Sequence, residues 1–533
     1  MTKAYRLSVV MIVKNEAHNL TLSLPSVADF ADEIIILDSG STDHSQEIAQ
    51  QFGAKWFVNT DWQGFGRQRQ LAQSHATGDW ILTLDADEVV TPTLKNSILQ
   101  TINNAPANTV YGIKRLDFVF GQQIDNPYWG VKAHWRLYPK KFQYNNNLVH
   151  ESVALDGANT AKLTGFLEHH TAPTPKFWLE KRLQYAKAWA DDRHKQGKKS
   201  VPHQIVLNPL WAFFKQYLFD GRFLQGRYGL LYALLFSQYT FNKYACLYDL
   251  SHNQAKTAFL NSVDMAKKLQ PIDLSNKKST LSLVMIVKNE SKHLKVCLDT
   301  VHDIADEIII LDSGSTDHSQ EIAQQFGAKW FVNTDWQGFG RQRQLAQSHA
   351  TSDYVLVLDA DERLDQTLRQ AIAHVLSQPL QTDKVFAVAR VNTFCGIEVQ
   401  PKAWYTDKLA RLYANKQFTY SDLEVHESLD QQGAPTQVLA GYLSHLTNDN
   451  LHHFLYKNVR YSHDWANEKH QKGKKTSIAG ILLHSWFCFV REYFIRADFM
   501  GGVYGFILAC ASFGYTLDKY VILWQMKQEN PNP

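Results

Sequence analysis

The chain has 533 residues, of which 44% are hydrophobic and 20% are charged, and its formal net charge is +3. This is the composition of an ordinary globular protein with sizeable cores, and the small net charge argues against a nucleic-acid-binding protein. The five cysteines are odd in number and include no Cys-x-x-Cys pair, which argues against a disulfide framework and a zinc ribbon. The apolar run before Lys14 is too short for a signal peptide. We therefore expect a reduced, cytoplasmic setting.

Two long segments of the chain are copies of each other. Residues 31–77 recur letter for letter as residues 305–351, more than half a chain length downstream. Solenoid repeats have periods of about 20 to 50 residues, so each copy is expected to be a complete domain with its own core. We place copy 1 at 1–263, with a sheet-bearing core at about 5–170 and a helical extension at about 175–262. Copy 2 is placed at 281–533, with a core at about 281–446 and an extension at about 450–528, after a polar, Pro-containing linker at 264–280.

The first copy alternates strands and helices. Its predicted elements, in chain order, are a buried strand at 7–13, a helix at 16–27, a buried strand at 33–37, a helix at 43–51, a strand at 56–58, a helix at 67–75 and a strand at 80–84. This order predicts an α/β protein with a mostly parallel sheet in each copy. Ligands of such sheets bind at the carboxyl ends of the strands.

Acidic residues follow three of these predicted strands. Glu16 is either a ligand-binding group or a first-turn acid favoured by the helix dipole. Asp38 ends a strand and could instead cap the following turn. Asp43 and Gln46 have the spacing of a capping box, so we expect Asp43 to cap a helix.

The strongest signal is the pair Asp85 and Asp87 in the sequence Asp-Ala-Asp-Glu, which recurs as Asp359 and Asp361. Two carboxylates one residue apart repel each other unless a cation or a hydrogen-bonding ligand offsets their charge. Hard oxygen ligands suit Mg²⁺ or Mn²⁺, which bridge to phosphates. The pattern favours a metal-diphosphate site over a solvated acidic turn.

Three motifs together resemble a known family. VMIVKNE, LDSGSTD and LDADE, in this order, resemble the inverting family 2 glycosyltransferases of GT-A fold. The later Trp129, Arg-Leu-Tyr and Val-His-Glu islands resemble the lipopolysaccharide or lipooligosaccharide core glucosyltransferases of that family. The resemblance implies two GT-A (Rossmann-like) domains in tandem, each followed by a helical, aromatic-rich extension. Gln70 and Gln344 stand where relatives usually have Asn.

The resemblance also implies a UDP-sugar donor and a role for each acid. Asp38 and Asp312 would bind the uracil or ribose, and Glu16 and Glu290 would face the nucleoside. The remaining implied groups are the four aspartates Asp85, Asp87, Asp359 and Asp361, which would hold the ribose and a metal-bound diphosphate.

Inverting transfer also needs a base that takes the proton of the acceptor hydroxyl. Glu151 and Glu427 are our candidates, and the alternative is a surface carboxylate beside a core histidine. The adjacent His150 and His426 could orient the carboxylate or bind the diphosphate.

Four further residues are candidates for acceptor binding. Trp129 and Trp404 could stack on a sugar, although a large aromatic side chain is as often part of a core. Arg136 and Arg411 could clamp a phosphate, although a structural ion pair is at least as common.

The tails of both copies are rich in Phe, Tyr and Leu with interspersed basic residues, at 211–244 and 486–520. Neither has the 18 or more uninterrupted apolar residues of a spanning helix. Amphipathic helices lying on a membrane would look like this, and the basic runs at 194–199 and 470–475 suit anionic headgroups. The alternative is that these helices cover the catalytic domain or pair the two copies.

We therefore expect a cytoplasmic, peripherally membrane-associated tandem glycosyltransferase. It would move a hexose, glucose by resemblance, from a UDP-sugar to a lipid-linked glycan such as lipooligosaccharide core, and it would be bifunctional. In one alternative, one copy is a scaffold or glycan-binding module, but both copies retain the acids. A nucleotidyltransferase is the other alternative. Such an enzyme should carry a Gly-rich, basic loop after the first strand, and this sequence has no such loop there.

Overall fold

The computed structural model describes residues 5–104, 108–147, 151–252, 254–398, 407–421, 428–447 and 450–529. The predictions for His150, Trp404, His426 and Glu427 concern residues outside these ranges.

Copy 1 begins with an alternating α/β region. Its elements are β1 (Leu7–Val13), α1 (Ala17–Ser23), β2 (Glu33–Asp38), α2 (Ser45–Gln51), β3 (Lys55–Val58), α3 (Phe65–Ser74), β4 (Trp80–Thr83), β5 (Glu88–Val90), α4 (Pro92–Asn104), β6 (Thr109–Val119), β7 (Gln122–Gln123), β8 (Ala133–Pro139) and β9 (Asn159–Ala172). The helical extension has α5 (Pro175–Lys195), α6 (Pro202–Phe214), a π-helical turn (Lys215–Phe219), a 3₁₀ turn (Arg222–Gln225), α7 (Gly226–His252) and α8 (Gln254–Lys267).

Copy 2 repeats this order of elements. They are β10 (Leu281–Val287), α9 (Leu294–Asp299), β11 (Glu307–Asp312), α10 (Ser319–Gln325), β12 (Lys329–Val332), α11 (Phe339–Ser348), β13 (Tyr354–Val357), β14 (Glu362–Leu364), α12 (Gln366–Leu376), β15 (Val385–Phe394), β16 (Ile397–Glu398), β17 (Asp407–Ala414), β18 (Thr419–Tyr420), β19 (Leu429–Asp430) and β20 (Thr436–His445). Its extension has α13 (Leu451–Gln471), α14 (Ile478–Val490), a π-helical turn (Arg491–Ile495), a 3₁₀ turn (Asp498–Gly501) and α15 (Gly502–Glu529).

Each copy builds one large mixed sheet, and copy 2 adds the two-stranded sheet β18-β19. In copy 1 the strand order is β3-β2-β1-β4-β8-β6-β9-β5, and in copy 2 it is β12-β11-β10-β13-β17-β15-β20-β14. The strands β1, β2, β3 and β4 are parallel, and the later strands add antiparallel pairs. The predicted fold class, an α/β sheet in each of two tandem copies with aromatic-rich helical extensions, is confirmed.

The central strand β1 shows why these residues form a sheet with helices on both faces. Leu7, Val9 and Met11 belong to a core cluster on one face, whereas Val10 belongs to the cluster on the other face. A β-branched run buried on both sides is typical of a parallel strand. The acids that follow these strands are therefore gathered at one edge of the sheet.

The two extensions pack together in a shared apolar core. That core contains Trp178 and Leu235 of copy 1 and Leu455 and Trp524 of copy 2. Hydrogen bonds cross between the copies: Gln238 Nε2 donates to Asp518 Oδ2 at 3.1 Å, the Leu451 N–H donates to Asp249 Oδ2 at 2.9 Å, and Gln525 Nε2 donates to the Phe120 carbonyl at 3.2 Å. Pairing of the two copies, one of the roles considered for the tails, is thus observed.

The helix α6 and its π-helical turn are apolar on two sides. Their inner side is buried and consists of Ile205, Pro209, Ala212 and Gln216. Their outer side, which we call outer face 1, is exposed and consists of Val206, Leu207, Leu210, Trp211, Phe214, Leu218 and Phe219. In copy 2, outer face 2 consists of the exposed Leu483, Trp486, Phe487, Val490, Phe494 and Ile495.

Candidate functional site

The loops after β1 and β2 are locked together at the carboxyl edge of the sheet. The Asn15 N–H donates to Ser41 Oγ at 2.8 Å, and the Thr42 N–H donates to Asn15 Oδ1 at 2.7 Å. Asp38 ends β2 and accepts from the Ser41 N–H at 3.0 Å and from Ser41 Oγ at 2.6 Å. Asp38 therefore stabilises the turn that follows β2, in agreement with the alternative that it caps this turn.

The expectation that Asp43 forms a capping box is wrong. The helix α2 begins at Ser45 with His44 as its N-cap, so Asp43 lies outside it. Asp43 Oδ1 accepts from the Ser45 N–H at 3.1 Å, and its Oδ2 accepts from the Ala17 N–H at 3.0 Å. The carboxylate thus ties the start of α1 to the loop before α2, a tertiary bond that local spacing does not reveal.

Glu16 is half-buried beside this loop. Its Oε2 accepts a hydrogen bond from Asn19 Nδ2 at 2.6 Å. Burial raises the pKa of Glu16, the Asn19 amide lowers it, and the nearby Asp87 carboxylate raises it further. Glu16 and Asp87 therefore belong to one electrostatic site.

Two arginines neutralise Asp85. Arg69 Nη2 lies 2.6 Å from Asp85 Oδ1, and Arg136 Nη2 lies 2.5 Å from Asp85 Oδ2. Burial acts to raise the pKa of Asp85, but Arg136 and Arg69 hold it well below its usual range. We expected a metal to offset the charge of the Asp85 and Asp87 pair. For Asp85, the guanidinium groups of the two arginines already supply that positive charge.

Arg136 lies inside this network. It is 6% exposed, and its Nη2 also contacts Glu88 Oε1 at 2.7 Å. Arg411 is 4% exposed and makes the equivalent contacts in copy 2. Both guanidinium groups thus form the structural ion pairs that were the alternative to a role in acceptor binding.

Sequence reasoning missed His169. Its Nε2 lies 3.3 Å from Asp87 Oδ2 and its Nδ1 lies 2.7 Å from Asp117 Oδ1. Burial lowers the pKa of His169, but Asp117 and Asp87 together raise it to about 9. The available signal was a histidine in the last strand of both copies, since β9 pairs His169 with Glu88 and β20 pairs His445 with Glu362.

The residues around Asp87 fit a divalent cation that shares its ligands with a bound diphosphate. Among the described residues, no group of three or more His, Cys, Asp and Glu side chains is arranged to hold a metal ion. Asp87 offers one carboxylate at the carboxyl edge of the sheet, and His169, which is protonated while it faces Asp87 and Asp117, would add an imidazole nitrogen on losing its Nε2 proton. Such a partial ligand set suits Mg²⁺ or Mn²⁺, which complete their coordination with phosphate and water oxygens.

Glu151 is linked to Asp85 because both carboxylates contact Arg69. Its Oε1 accepts from Arg69 Nε at 3.0 Å. The side chain is 16% exposed, so it is neither a surface carboxylate nor fully buried. Glu151 is therefore part of the same site.

Trp129 lies between β7 and β8 and contacts the π-helical turn of the extension. Its Nε1 donates to the Phe219 carbonyl at 2.7 Å, and the residue is 49% exposed. It is therefore not a core residue, the alternative that we weighed against sugar stacking.

Copy 2 repeats the central network. Asp359 contacts Arg343 Nη2 at 2.8 Å and Arg411 Nη2 at 2.9 Å, and Asp361 Oδ2 lies 3.3 Å from His445 Nε2. Asp312 accepts from the Ser315 N–H at 2.9 Å, as Asp38 does from Ser41. The described part of copy 2 thus brings together the same residue types.

The copies differ beneath the Asp-Ala-Asp-Glu turn. Copy 2 has Arg363 where copy 1 has Val89, and this guanidinium is 0% exposed. It donates to the Ala360 carbonyl at 2.7 Å and to the His293 carbonyl at 3.1 Å. Burial lowers the pKa of Arg363, while nearby acids, among them Asp361, oppose that shift.

Known proteins match just under half of this chain. An uncharacterized glycosyltransferase of Rickettsia prowazekii is 31% identical over 257 residues, which are 46% of this chain and 88% of that protein. The lipopolysaccharide core biosynthesis glycosyltransferase LpsC of Rhizobium meliloti is 28% identical over 239 residues, which are 44% of this chain and 87% of that protein.

Among solved structures, glucosyl-3-phosphoglycerate synthase from Mycobacterium tuberculosis in complex with Mn²⁺, uridine diphosphate and glucosyl-3-phosphoglycerate is 21% identical. The TM-score is 0.19, and the match covers 22% of this chain and 44% of that one. The chain thus spans less than half the length of that structure.

The profile of the family described as "Glycosyl transferase family 2" matches residues 8–161 and 282–396. These two segments lie in copy 1 and copy 2 and together make up half of the chain. The chain belongs to glycosyl transferase family 2.

Proposed function

We propose that each copy transfers a hexose, glucose in the first instance, from a UDP-sugar to a lipid-linked glycan such as lipooligosaccharide core. The observation that carries this proposal is the acidic site at the carboxyl edge of the sheet, which both copies build from the same residue types. Family membership supplies the reaction class. The name of the LpsC relative supports a lipopolysaccharide core acceptor.

The donor is assigned to the loops after β1, β2 and β4. Asp38 and Asp312 bind the uracil or ribose, and Glu16 and Glu290 face the nucleoside. The first aspartates of the two turns, Asp85 and Asp359, face the ribose and are held in place by their arginine pairs.

The metal is assigned to the second aspartate of each turn. Asp87 with His169, and Asp361 with His445, would hold Mg²⁺ or Mn²⁺ at the diphosphate of the donor. When bound, the cation neutralises the charge that develops on the departing diphosphate. Asp85 and Asp359, the other aspartates of the predicted metal set, are each neutralised by two arginines and lie beside this site.

The base is assigned to the Val-His-Glu islands. Glu151 in copy 1 and Glu427 in copy 2 take the proton of the acceptor hydroxyl as that oxygen attacks the anomeric carbon from the face opposite the diphosphate. Arg69 orients the Glu151 carboxylate through its 3.0 Å contact. The acceptor lies between these carboxylates and the Trp129 side of copy 1, with Trp404 as the corresponding candidate in copy 2.

We also assign the protein to the inner surface of the cytoplasmic membrane. A helix that is apolar on all sides is normally buried on all sides, yet outer faces 1 and 2 are exposed. Exposed Lys198 and Lys199 precede α6, and exposed Lys474 and Lys475 precede α14, which suits anionic headgroups. All five cysteines are free, in keeping with a reducing compartment.

Contact with one leaflet fits the extension better than a membrane crossing. Within the described residues, Ile478–Ile495 and Asp498–Gln528 are long and apolar enough to cross a membrane. The second segment is 56% buried inside the protein, and the first packs on α15 through the side that carries Ile481 and Ser485. The first segment also contains the ion pair of Arg491 and Glu492.

The proposal is tested by incubating the purified chain with a panel of nucleotide sugars and a lipooligosaccharide extract, and by following nucleotide release. We expect release of UDP from one UDP-hexose above all others. Release only from non-uridine donors, or none from any sugar nucleotide, would refute the assigned donor.

A further inference from the structure

Arg222 connects outer face 1 to the interior of copy 1. It follows the exposed Phe219 in the chain, but its own side chain is buried. Its Nη1 lies 3.0 Å from Asp125 Oδ1, its Nε donates to Gln216 Oε1 at 2.6 Å, and its guanidinium lies 4.3 Å from the centre of the Tyr232 ring. The turn that carries exposed apolar side chains is thereby fixed to the segment that contains Asp125.

That segment, residues 120–130, which we call the acceptor loop, connects β6 to the strand β8. Asp125 Oδ2 accepts from the Asp117 N–H at 2.8 Å, and Asp117 Oδ1 lies 2.7 Å from His169 Nδ1. His169 in turn contacts Asp87. A continuous series of polar contacts therefore runs from Arg222, in the turn that follows outer face 1, to the candidate metal ligand Asp87.

A second connection runs through Trp129. Its indole N–H donates to the carbonyl of Phe219, a residue of outer face 1. The ring lies against Gly221, whose φ is +71°, and a Cβ at Gly221 would come within 2.4 Å of Trp129 Cδ1. Glycine at this position lets the acceptor loop rest on the backbone of the turn.

In the described part of copy 2, two of the corresponding residues differ. Asp498 begins its 3₁₀ turn where Arg222 begins the turn of copy 1, and Asn392 replaces Asp117 as the partner of the strand histidine.

We propose that contact of outer face 1 with an anionic bilayer surface positions the acceptor loop, so that membrane binding sets the geometry of the acceptor side of copy 1. This inference rests on the membrane contact assigned under the proposed function. Arg222 and Trp129 are positioning residues that transmit the contact. A bilayer is the occupant because outer face 1 has an exposed tryptophan at its middle and exposed lysines at its start, a pattern typical of interfacial helices.

The test is amide hydrogen exchange of the full chain, read by mass spectrometry, with and without vesicles of phosphatidylglycerol and phosphatidylethanolamine. Peptides from 206–219 report membrane contact, and peptides from 120–130 report the acceptor loop. In the unsubstituted chain we expect vesicles to slow exchange in both regions by at least about threefold.

Two variants separate the connection from the contact. Trp129→Phe keeps a ring but removes the N–H that bonds the Phe219 carbonyl, and Gly221→Ala displaces the indole from the other side. In both we expect vesicles still to protect 206–219 but no longer to protect 120–130. Tyr128→Phe is the matched control, since the neighbouring Tyr128 is 93% exposed, and it should behave as the unsubstituted chain does.

The membrane contact and its connection to the acceptor loop are refuted by different results. Absence of a vesicle effect at 206–219 refutes the membrane contact itself. Protection at 206–219 with unchanged exchange at 120–130 in the unsubstituted chain, or protection of the loop that persists in both variants, overturns the connection and leaves the membrane contact standing.

Discussion

Arg69 joins the donor side of copy 1 to the candidate base. Its guanidinium contacts Asp85 at 2.6 Å and Glu151 at 3.0 Å, and the residue is 5% exposed. Because both contacts are made by one planar group, the separation of the two carboxylates is restrained as long as both contacts are kept. The candidate base and the proposed donor site are therefore held close together before substrate binds.

This arrangement gives a first prediction, for the Glu151→Gln variant in an Asp361→Ala background that leaves copy 1 as the working copy. The amide keeps the shape of the side chain but does not accept a proton. We expect kcat to fall by about 10² to 10⁴ with little change in the KM for the donor. Glu47→Gln, on the exposed side of α2, is the control, and an unchanged rate in Glu151→Gln would move the base elsewhere.

The second prediction concerns the metal. Chelation should abolish transfer, and Mg²⁺ or Mn²⁺ should restore it, because Asp87 and His169 need a cation to hold a diphosphate. The melting temperature should change little on chelation, since Arg69 and Arg136 already neutralise Asp85. Full activity in excess EDTA would reject the metal assignment.

Sequence reasoning located the acids of the site but not their partners. Asp38 and Asp85 follow strands whose apolar pattern is unmistakable, so their position at the sheet edge was predictable. Arg69 lies on a helix between those strands, and His169 lies in the last strand. Their contacts depend on tertiary packing across the sheet, which local spacing does not encode.

At the scale of elements, the two outer faces have different sequences but the same physical character. Trp211 and Trp486 are 59% and 58% exposed at the middle of their faces. The sequence predicted aromatic-rich amphipathic helices, but it did not tell which side packs on the protein. Which side is buried depends on α7 and α15, against which α6 and α14 are packed.

The third prediction follows for the double variant Trp211→Gln and Trp486→Gln. We expect its binding to anionic vesicles, measured by co-sedimentation, to weaken by about tenfold or more. Stability should change by less than about 0.5 kcal/mol, because both side chains are exposed in the folded chain. Trp62→Gln is the matched control, with a side chain 48% exposed outside the extension. Unchanged vesicle binding would remove the membrane role of these faces.

A fourth prediction concerns Asp518 of α15, which lies in the contact between the copies. Burial raises the pKa of Asp518 to about 8, although the Gln238 amide acts to lower it. The apolar side chains around it come from α5, α7 and α13, together with the polar Asn242 and Asn458. The folded chain therefore holds this carboxyl in its protonated form at neutral pH.

The sign of the effect follows from this pKa. An unfolded aspartate has a pKa near 3.9, so the stability contributed by the protonated group is complete below about pH 4 and is lost as pH rises to about 8. Asp518→Asn mimics the protonated form, so its stability relative to the unsubstituted chain should rise between pH 5 and pH 8, by at most about 1.4 kcal/mol per pH unit. Denaturant unfolding at several pH values measures this, with the exposed Asp264→Asn as control. Parallel curves for Asp518→Asn and the unsubstituted chain would contradict it.

At the scale of the whole molecule, the copies share one helical core while each keeps its own sheet. The identical block lies in the halves that we assign to the donor, and the diverged residues lie in the halves that we assign to the acceptor, where Asp117 and Trp135 of copy 1 are replaced by Asn392 and Ala410. The tandem arrangement was predictable from the repeat. The shared core was not, because it depends on how two similar extensions fit one another.

These features lead to the central claim, that the chain is bifunctional and adds the same sugar at two acceptor positions. A polar group left unpaired by the wrong acceptor costs about 1 to 3 kcal/mol, enough to separate two acceptor specificities. In the alternative, one copy is active and the other is a scaffold. The chain would then fold in the same way, but its glycan products would differ.

The most direct measurement inactivates each copy separately, with Asp87→Ala or Asp361→Ala, and compares the glycan products by mass and linkage analysis. We predict two distinct truncated products, each lacking the sugar added by the inactivated copy, with the same sugar nucleotide consumed in both. Identical products from the two variants, or the full product from either one, would contradict the account.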